Sequence, residues 1–128
     1  MGFVKVRVKI GNPEKPSVSK EVELIADTEA IYTVVSKKIL EELGIRKRGK
    51  RKFKLANGKI IEREVGIIKI EVRETVAYTT VFFGEENDTQ VLGVTALEEL
   101  GMQIDPITGE LKPMELLLLG IHKAVIES

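Results

Sequence analysis

The chain has no cysteine, a single histidine and no net charge, its 20 basic residues balancing 20 acidic ones over 128 positions. Without cysteine there is neither a disulfide framework nor a thiolate metal site. The lone His122 cannot build a multi-histidine centre, so no metal and no cofactor is expected. The charge balance removes the broad field that would draw a protein onto nucleic acid or an anionic membrane. Long hydrophobic runs are also missing. Leu116-Leu117-Leu118-Leu119 is the longest, too short to cross a bilayer and expected to bury in the core or between subunits. The opening segment, Phe3-Val4-Lys5-Val6-Arg7-Val8-Lys9-Ile10, alternates apolar and basic residues, which is a strand pattern and not the apolar core of a signal peptide. These absences predict a soluble protein with no membrane partner, in the cytoplasm. The length suits one domain over residues 1–128, since it can bury a real core but cannot form two independent lobes.

Strand-like segments dominate what is present. Phe3 to Ile10 and Ser19 to Ala26 read as a hairpin across a loop at Gly11 to Pro16, with Val22, Leu24 and Ala26 sharing a face. Tyr32 to Val35 is a short β-branched strand. Ser36 then supplies an N-cap for a helix over 37–43 that Gly44 closes. Asn57-Gly58 lies between Phe53-Lys54-Leu55-Ala56 and Lys59-Ile60-Ile61-Glu62, a strong hairpin signal because both residues accept positive φ. Gly66 to Arg73 and Thr75 to Phe83 continue the strand series, and Gly84 to Asp88 reads as a polar loop. After Val91-Leu92-Gly93-Val94, Thr95 and Glu98 form a capping box for a helix ended by Gly101. Asp105 to Gly109 reads as a turn between two short strands, with Asp105 structural. His122 receives no role.

One string recurs. Leu40-Glu41-Glu42-Leu43-Gly44 returns as Leu97-Glu98-Glu99-Leu100-Gly101, 57 positions later. Short amphipathic helices ending in Gly converge on such strings. The shared order of apolar strand, turn, helix and Gly points further, to two related half-units.

The segment with most chemical content is Leu24-Ile25-Ala26-Asp27-Thr28-Glu29-Ala30. An apolar strand ending in Asp-Thr holds one carboxylate at a fixed, partly dry position suited to proton chemistry. Taken alone, Asp27 is better read as a turn acid bonding local N–H groups.

With the Asn57-Gly58 hairpin and Val91-Leu92-Gly93 following in order, the chain resembles the retropepsin-like aspartic proteases, in particular their small archaeal and bacterial single-domain members. The resemblance runs from about Phe3 to Lys112 and leaves 113–128 as a C-terminal extension. It implies a mainly β fold, a closed acid-protease barrel with one or two short helices. It also implies a homodimer acting on a peptide or protein substrate, each subunit supplying Asp27 as the catalytic acid. Thr28, Glu29 and Ala30 would form the supporting loop, and Ala56, Asn57 and Gly58 the flap. One Asp-Thr element in one domain agrees with this, since the chain cannot supply both acids itself.

Glu29 departs from the family pattern, which has Gly there. A side chain at this point predicts steric conflict or strain, and its charge beside Asp27 would crowd four acids at a two-fold axis. Two readings stay open: an active aspartic endopeptidase, and an inactive dimerisation or peptide-binding module on the same fold. The basic run Arg46-Lys47-Arg48-Gly49-Lys50-Arg51-Lys52 offers a third, phosphate contact. It lacks interleaved aromatics for base stacking and reads better as a solvated loop, so nucleic acid is not the expected partner.

Overall fold

The computed structural model describes residues 3–114, so Leu116 to Leu119, His122 and nearly all of the C-terminal extension lie outside the described residues. β1 (Phe3–Asn12) and β2 (Lys15–Asp27) form an antiparallel hairpin in which Val6 faces Leu24 and Val8 faces Val22. The alternation read from the sequence places Val6, Val8, Ile10, Val22, Leu24 and Ala26 in the core. The loop expected over 11–16 is shorter, because both strands run on almost to Pro13-Glu14. The register slips at Gly11/Asn12, and Asn12 is drawn inside. Its Nδ2 donates to the carbonyls of Leu43 at 2.9 Å and Gly44 at 3.0 Å, while its Oδ1 accepts from the Glu14 amide at 2.8 Å.

β3 (Thr33–Ser36) runs directly into α1 (Lys37–Glu42), where the Ser36 hydroxyl accepts from the Lys38 amide as an N-cap. Gly44, at φ +73°, turns the chain away. β4 (Lys50–Lys54) and β5 (Ile60–Val72) form the hairpin around Asn57-Gly58. Its turn differs from the expected one, since Gly58 has positive φ and Asn57 does not. Leu55 and Lys59 pair across a three-residue loop closed by the Gly58 amide on the Leu55 carbonyl at 2.9 Å. That is the hairpin form in which only the last loop residue must be left-handed. β5 is also one strand where the sequence reads two, because its first half pairs with β4 and its second with β6 (Thr75–Gly84).

β7 (Val91–Leu92), α2 (Val94–Leu100), β8 (Met102–Ile104) and β9 (Leu111–Pro113) complete the described chain. The predicted Thr95–Glu98 capping box is not formed; α2 begins two residues earlier, with Gly93 as N-cap and no side-chain cap. Backbone carbonyls replace it, Val94 N–H donating to Ala30 at 2.7 Å and Thr95 N–H to Ile31 at 3.0 Å.

The fold is mainly β with two short helices. The strand order is β1-β2-β7-β3-β6-β5-β4, and β1 also pairs with β5, so the sheet returns on itself and leaves β4 outside the ring. β2–β7 and β3–β6 are parallel; the long hairpins are antiparallel. Leu24, Ile68, Ile70, Phe83 and Leu92 fill the centre, joined by Leu40 of α1 and Ala96, Leu97 and Leu100 of α2.

The repeated string marks a repeat in the backbone. Ile25 of β2 pairs with Val91, and Val34 of β3 pairs with Phe82; adding 57 to Ile25 and to Val34 gives Phe82 and Val91, so both parallel pairs share one register. α1 and α2 start at Lys37 and Val94, the same interval apart. By this rule Asp27, the end of β2, corresponds to Gly84, the end of β6.

Candidate active site

Asp27 closes β2 immediately after Ala26, which is fully buried and anchors the strand end. Its side chain is half-buried. Oδ1 accepts from the Glu29 amide at 2.9 Å, and its carbonyl accepts from the Ala30 amide at 3.2 Å, so residues 27–30 form a tight turn that fixes the carboxylate. Thr28 and Glu29 are exposed and Ala30 is half-buried.

The expected strain at Glu29 is absent, since its φ lies outside the left-handed region. The turn leaves its side chain exposed at the edge of an adjoining cavity, and its amide orients Asp27. Any residue but proline supplies that amide.

The loop is held from beneath by Gly93. A Cβ there would lie 2.4 Å from the Tyr32 carbonyl carbon and 2.8 Å from the Ile31 oxygen, so only glycine passes. The Gly93 amide donates to the hydroxyl of Thr33 at 3.1 Å, and Thr33 is 1% exposed. In the sequence Thr33 reads as one more β-branched strand residue. A threonine inside an otherwise aliphatic run was the signal that a buried acceptor was required.

Beyond the turn lies a cavity of about 460 Å³. Its floor is Glu29, Ala30, Ile31, Tyr32 and Val34; its roof is Phe53, Lys54, Leu55 and Ile61 from the hairpin. Phe82 and Val91 form the back, with Arg63, Asp88 and Thr89 at one end. Asp27 is not part of this lining, which begins two residues later. Ala56, Asn57 and Gly58 are exposed and lie beyond the lining as well, so the strand residues just behind the tip, and not the tip itself, line the cavity with the Asp27 loop. The aromatics stack across the gap, Tyr32 and Phe82 with centroids 5.1 Å apart and Phe53 edge-on to Phe82 at 4.3 Å.

Arg63 and Asp88 form a two-pronged ion pair, Nε to Oδ2 at 2.7 Å and Nη2 to Oδ1 at 3.0 Å. The guanidinium holds the Asp88 carboxyl below its usual range, with a backbone bond from Glu85 assisting. This pair ties the roof strand to the loop after β6. The sequence showed only a polar loop there, because the two residues are 25 positions apart.

The basic run is partly paired. Arg46 bonds Glu14, Lys47 lies 3.1 Å from Glu41 and 3.3 Å from Glu64, and Lys50 lies 3.9 Å from Glu62. Among the described residues no cluster of three or more acids or histidines is placed to hold a metal, and no helix is long and apolar enough to cross a membrane.

A family model described as gag-polyprotein putative aspartyl protease matches residues 18–99, from β2 through the Asp27 turn and the hairpin to α2. The chain belongs to this family of retropepsin-like aspartic proteases. No curated protein matches the chain. The matched span contains the elements that shape the cavity, so in this aspartic protease family member the Asp27 turn, the Phe53–Ile61 roof and the Gly93 support lie within the family's own region.

Proposed function

We propose that two copies of the chain form an aspartic endopeptidase, each contributing Asp27 at a two-fold axis with Thr28 supporting the paired loops. Thr28, Glu29 and Ala30 are the active-site loop, and Ala56, Asn57 and Gly58 the flap tip. The returning sheet is read as the family's closed barrel and residues 1–128 as one domain, in a reducing compartment such as the cytoplasm. The observation that carries the reading is the Asp27 turn beside an apolar cleft roofed by a hairpin, within a chain of this protease family.

Two carboxylates within hydrogen-bonding reach cannot both ionise cheaply, so the pair retains one proton over a working pH range. The ionised Asp27 takes a proton from a bound water as its oxygen attacks the peptide carbonyl carbon. The protonated Asp27 of the other copy gives its proton to the carbonyl oxygen. Collapse of the resulting gem-diol breaks the C–N bond, and the amine leaves with a proton returned from the dyad. The Glu29 amide holds one oxygen of each acid while this occurs.

The test is cleavage of an unfolded protein at acidic pH, blocked by a statine-type inhibitor and abolished by Asp27→Asn. Glu29 supports a second reading, an inactive peptide-binding dimer. Cleavage by Glu29→Gly with none by the unaltered chain would sink the active reading and leave the fold standing, and a monomeric protein in light scattering would count against both.

A further inference from the structure

The inward face of the roof hairpin breaks a pairing rule. Arg51 of β4 stands directly opposite Arg63 of β5, and the next inward pair is Phe53 with Ile61. Like charges directly opposite each other on one face of a sheet repel; Arg63 lines the mainly apolar cleft, and Arg51 stands just outside that lining, against its Tyr32. Arg63 is compensated by Asp88 and also bonds the Glu62 carbonyl, so each of its three nitrogens already donates one bond. Arg51 has no such partner. No carboxylate lies within ion-pair reach of it among the described residues, and its guanidinium lies 5.9 Å from the centroid of Tyr32, on the cleft floor.

Stability does not account for Arg51. Its exposed position gains only a weak cation–π contact, at the cost of facing Arg63. A locally unfavourable charge beside a binding cleft is a feature that function explains better than folding. The same hairpin carries Lys52, Lys54 and Lys59, all exposed and without a described acidic partner, so its field favours anions. The lining holds two acids: Asp88 is paired with Arg63, and Glu29 forms no ion pair with the hairpin among the described residues.

We infer that Arg51 is a specificity-determining residue that selects peptides bearing an acidic side chain next to a large apolar one. The apolar side chain enters the cavity among Tyr32, Phe53 and Phe82, and the neighbouring carboxylate meets Arg51 at its edge. Arg51 presents a planar fork suited to two-pronged carboxylate binding once the substrate excludes water. The inference rests on the peptide-cleft reading above and extends it to the substrate class.

The test separates binding from cleavage. Two fluorescent peptides differing only in Glu or Gln beside a phenylalanine are titrated into the full-length Asp27→Asn protein at low salt, and affinity is read by anisotropy. The Glu peptide is expected to bind about fivefold more tightly, as one desolvated ion pair would give. Arg51→Met brings the ratio to about one, and Arg51→Lys retains part of it. Equal binding of the two peptides, no binding of either, or a ratio unchanged in Arg51→Met overturns the assignment. If the preference and its loss in Arg51→Met are observed while the unaltered chain cleaves neither peptide, the specificity role stands and the peptidase reading falls.

Discussion

Gly93 passes beneath Tyr32 so closely that an added methyl would lie 2.4 Å from the Tyr32 carbonyl carbon. The obstacle is backbone, so it cannot rotate away as a side chain would. Gly93→Ala must displace the 30–32 loop and strain the bonds from Val94 and Thr95 that hold it. A loss of about 3 kcal/mol is expected, at the upper end for overpacking, measured as a lower urea midpoint with unchanged slope.

Asn12 makes a second long-range tie. It is 2% exposed and joins the first hairpin to the end of α1 through two donated bonds, while accepting one from Glu14 in its own turn. Asn12→Ala leaves the Leu43 and Gly44 carbonyls short of partners, at an expected cost of about 2 kcal/mol in chemical denaturation. A variant as stable as the parent would show that water takes over those carbonyls.

The Arg63–Asp88 pair gives a pH-dependent signature. The folded-state pKa of Asp88 is depressed from 3.8, so its stabilising contribution is complete above that value and disappears as pH falls through the lowered one. Asp88→Asn should therefore cost about 1 to 2 kcal/mol at neutral pH and nearly the same at about pH 5. The cost should shrink only below about pH 4, near the unfolded-state value. Thermal melts of both proteins across this range check it, and a difference vanishing by pH 5 would contradict the depressed value. The pair consequently keeps the cleft roof anchored in mild acid, the range in which the proposed Asp27 dyad would share its proton.

Glu29 is exposed beside Asp27, and in the proposed dimer both carboxylates approach their counterparts. Glu29→Gly should tighten dimerisation about tenfold at low salt by removing one charge per subunit. The gain should diminish at about 0.5 M salt, where screening is short-ranged. Sedimentation at both salts reads the effect. Equal constants for the two proteins would mean that Glu29 points away from the axis.

What the sequence made legible was local. The alternation from Val4 to Ile10, the Ser36 cap, the Gly44 and Gly101 stops and the Asn57-Gly58 hairpin each follow from neighbouring residues, and each is present. The Thr95–Glu98 capping box failed because carbonyls from Ala30 and Ile31, more than 60 positions away, were available to the same amides. The Arg63–Asp88 pair and the buried Asn12 were invisible for the same reason, and Thr33 marks a buried acceptor without naming Gly93 as its donor, since composition does not reveal which distant backbone a polar side chain will meet. At the candidate site, the place of Asp27 at a strand end was readable. The harmlessness of Glu29 to its turn was not, because it depends on a φ angle.

The two parallel pairings also govern how the chain must fold. β2 waits for β7 and β3 waits for β6, so residues near 25 and 34 find their partners only after those near 91 and 82 have been made. Neither half-unit can finish its sheet from its own residues, and each closes a loop of roughly 50 to 65 residues before being rewarded. The ring should form slowly and in one cooperative step, with the turn around Asp27 among the last parts to become ordered.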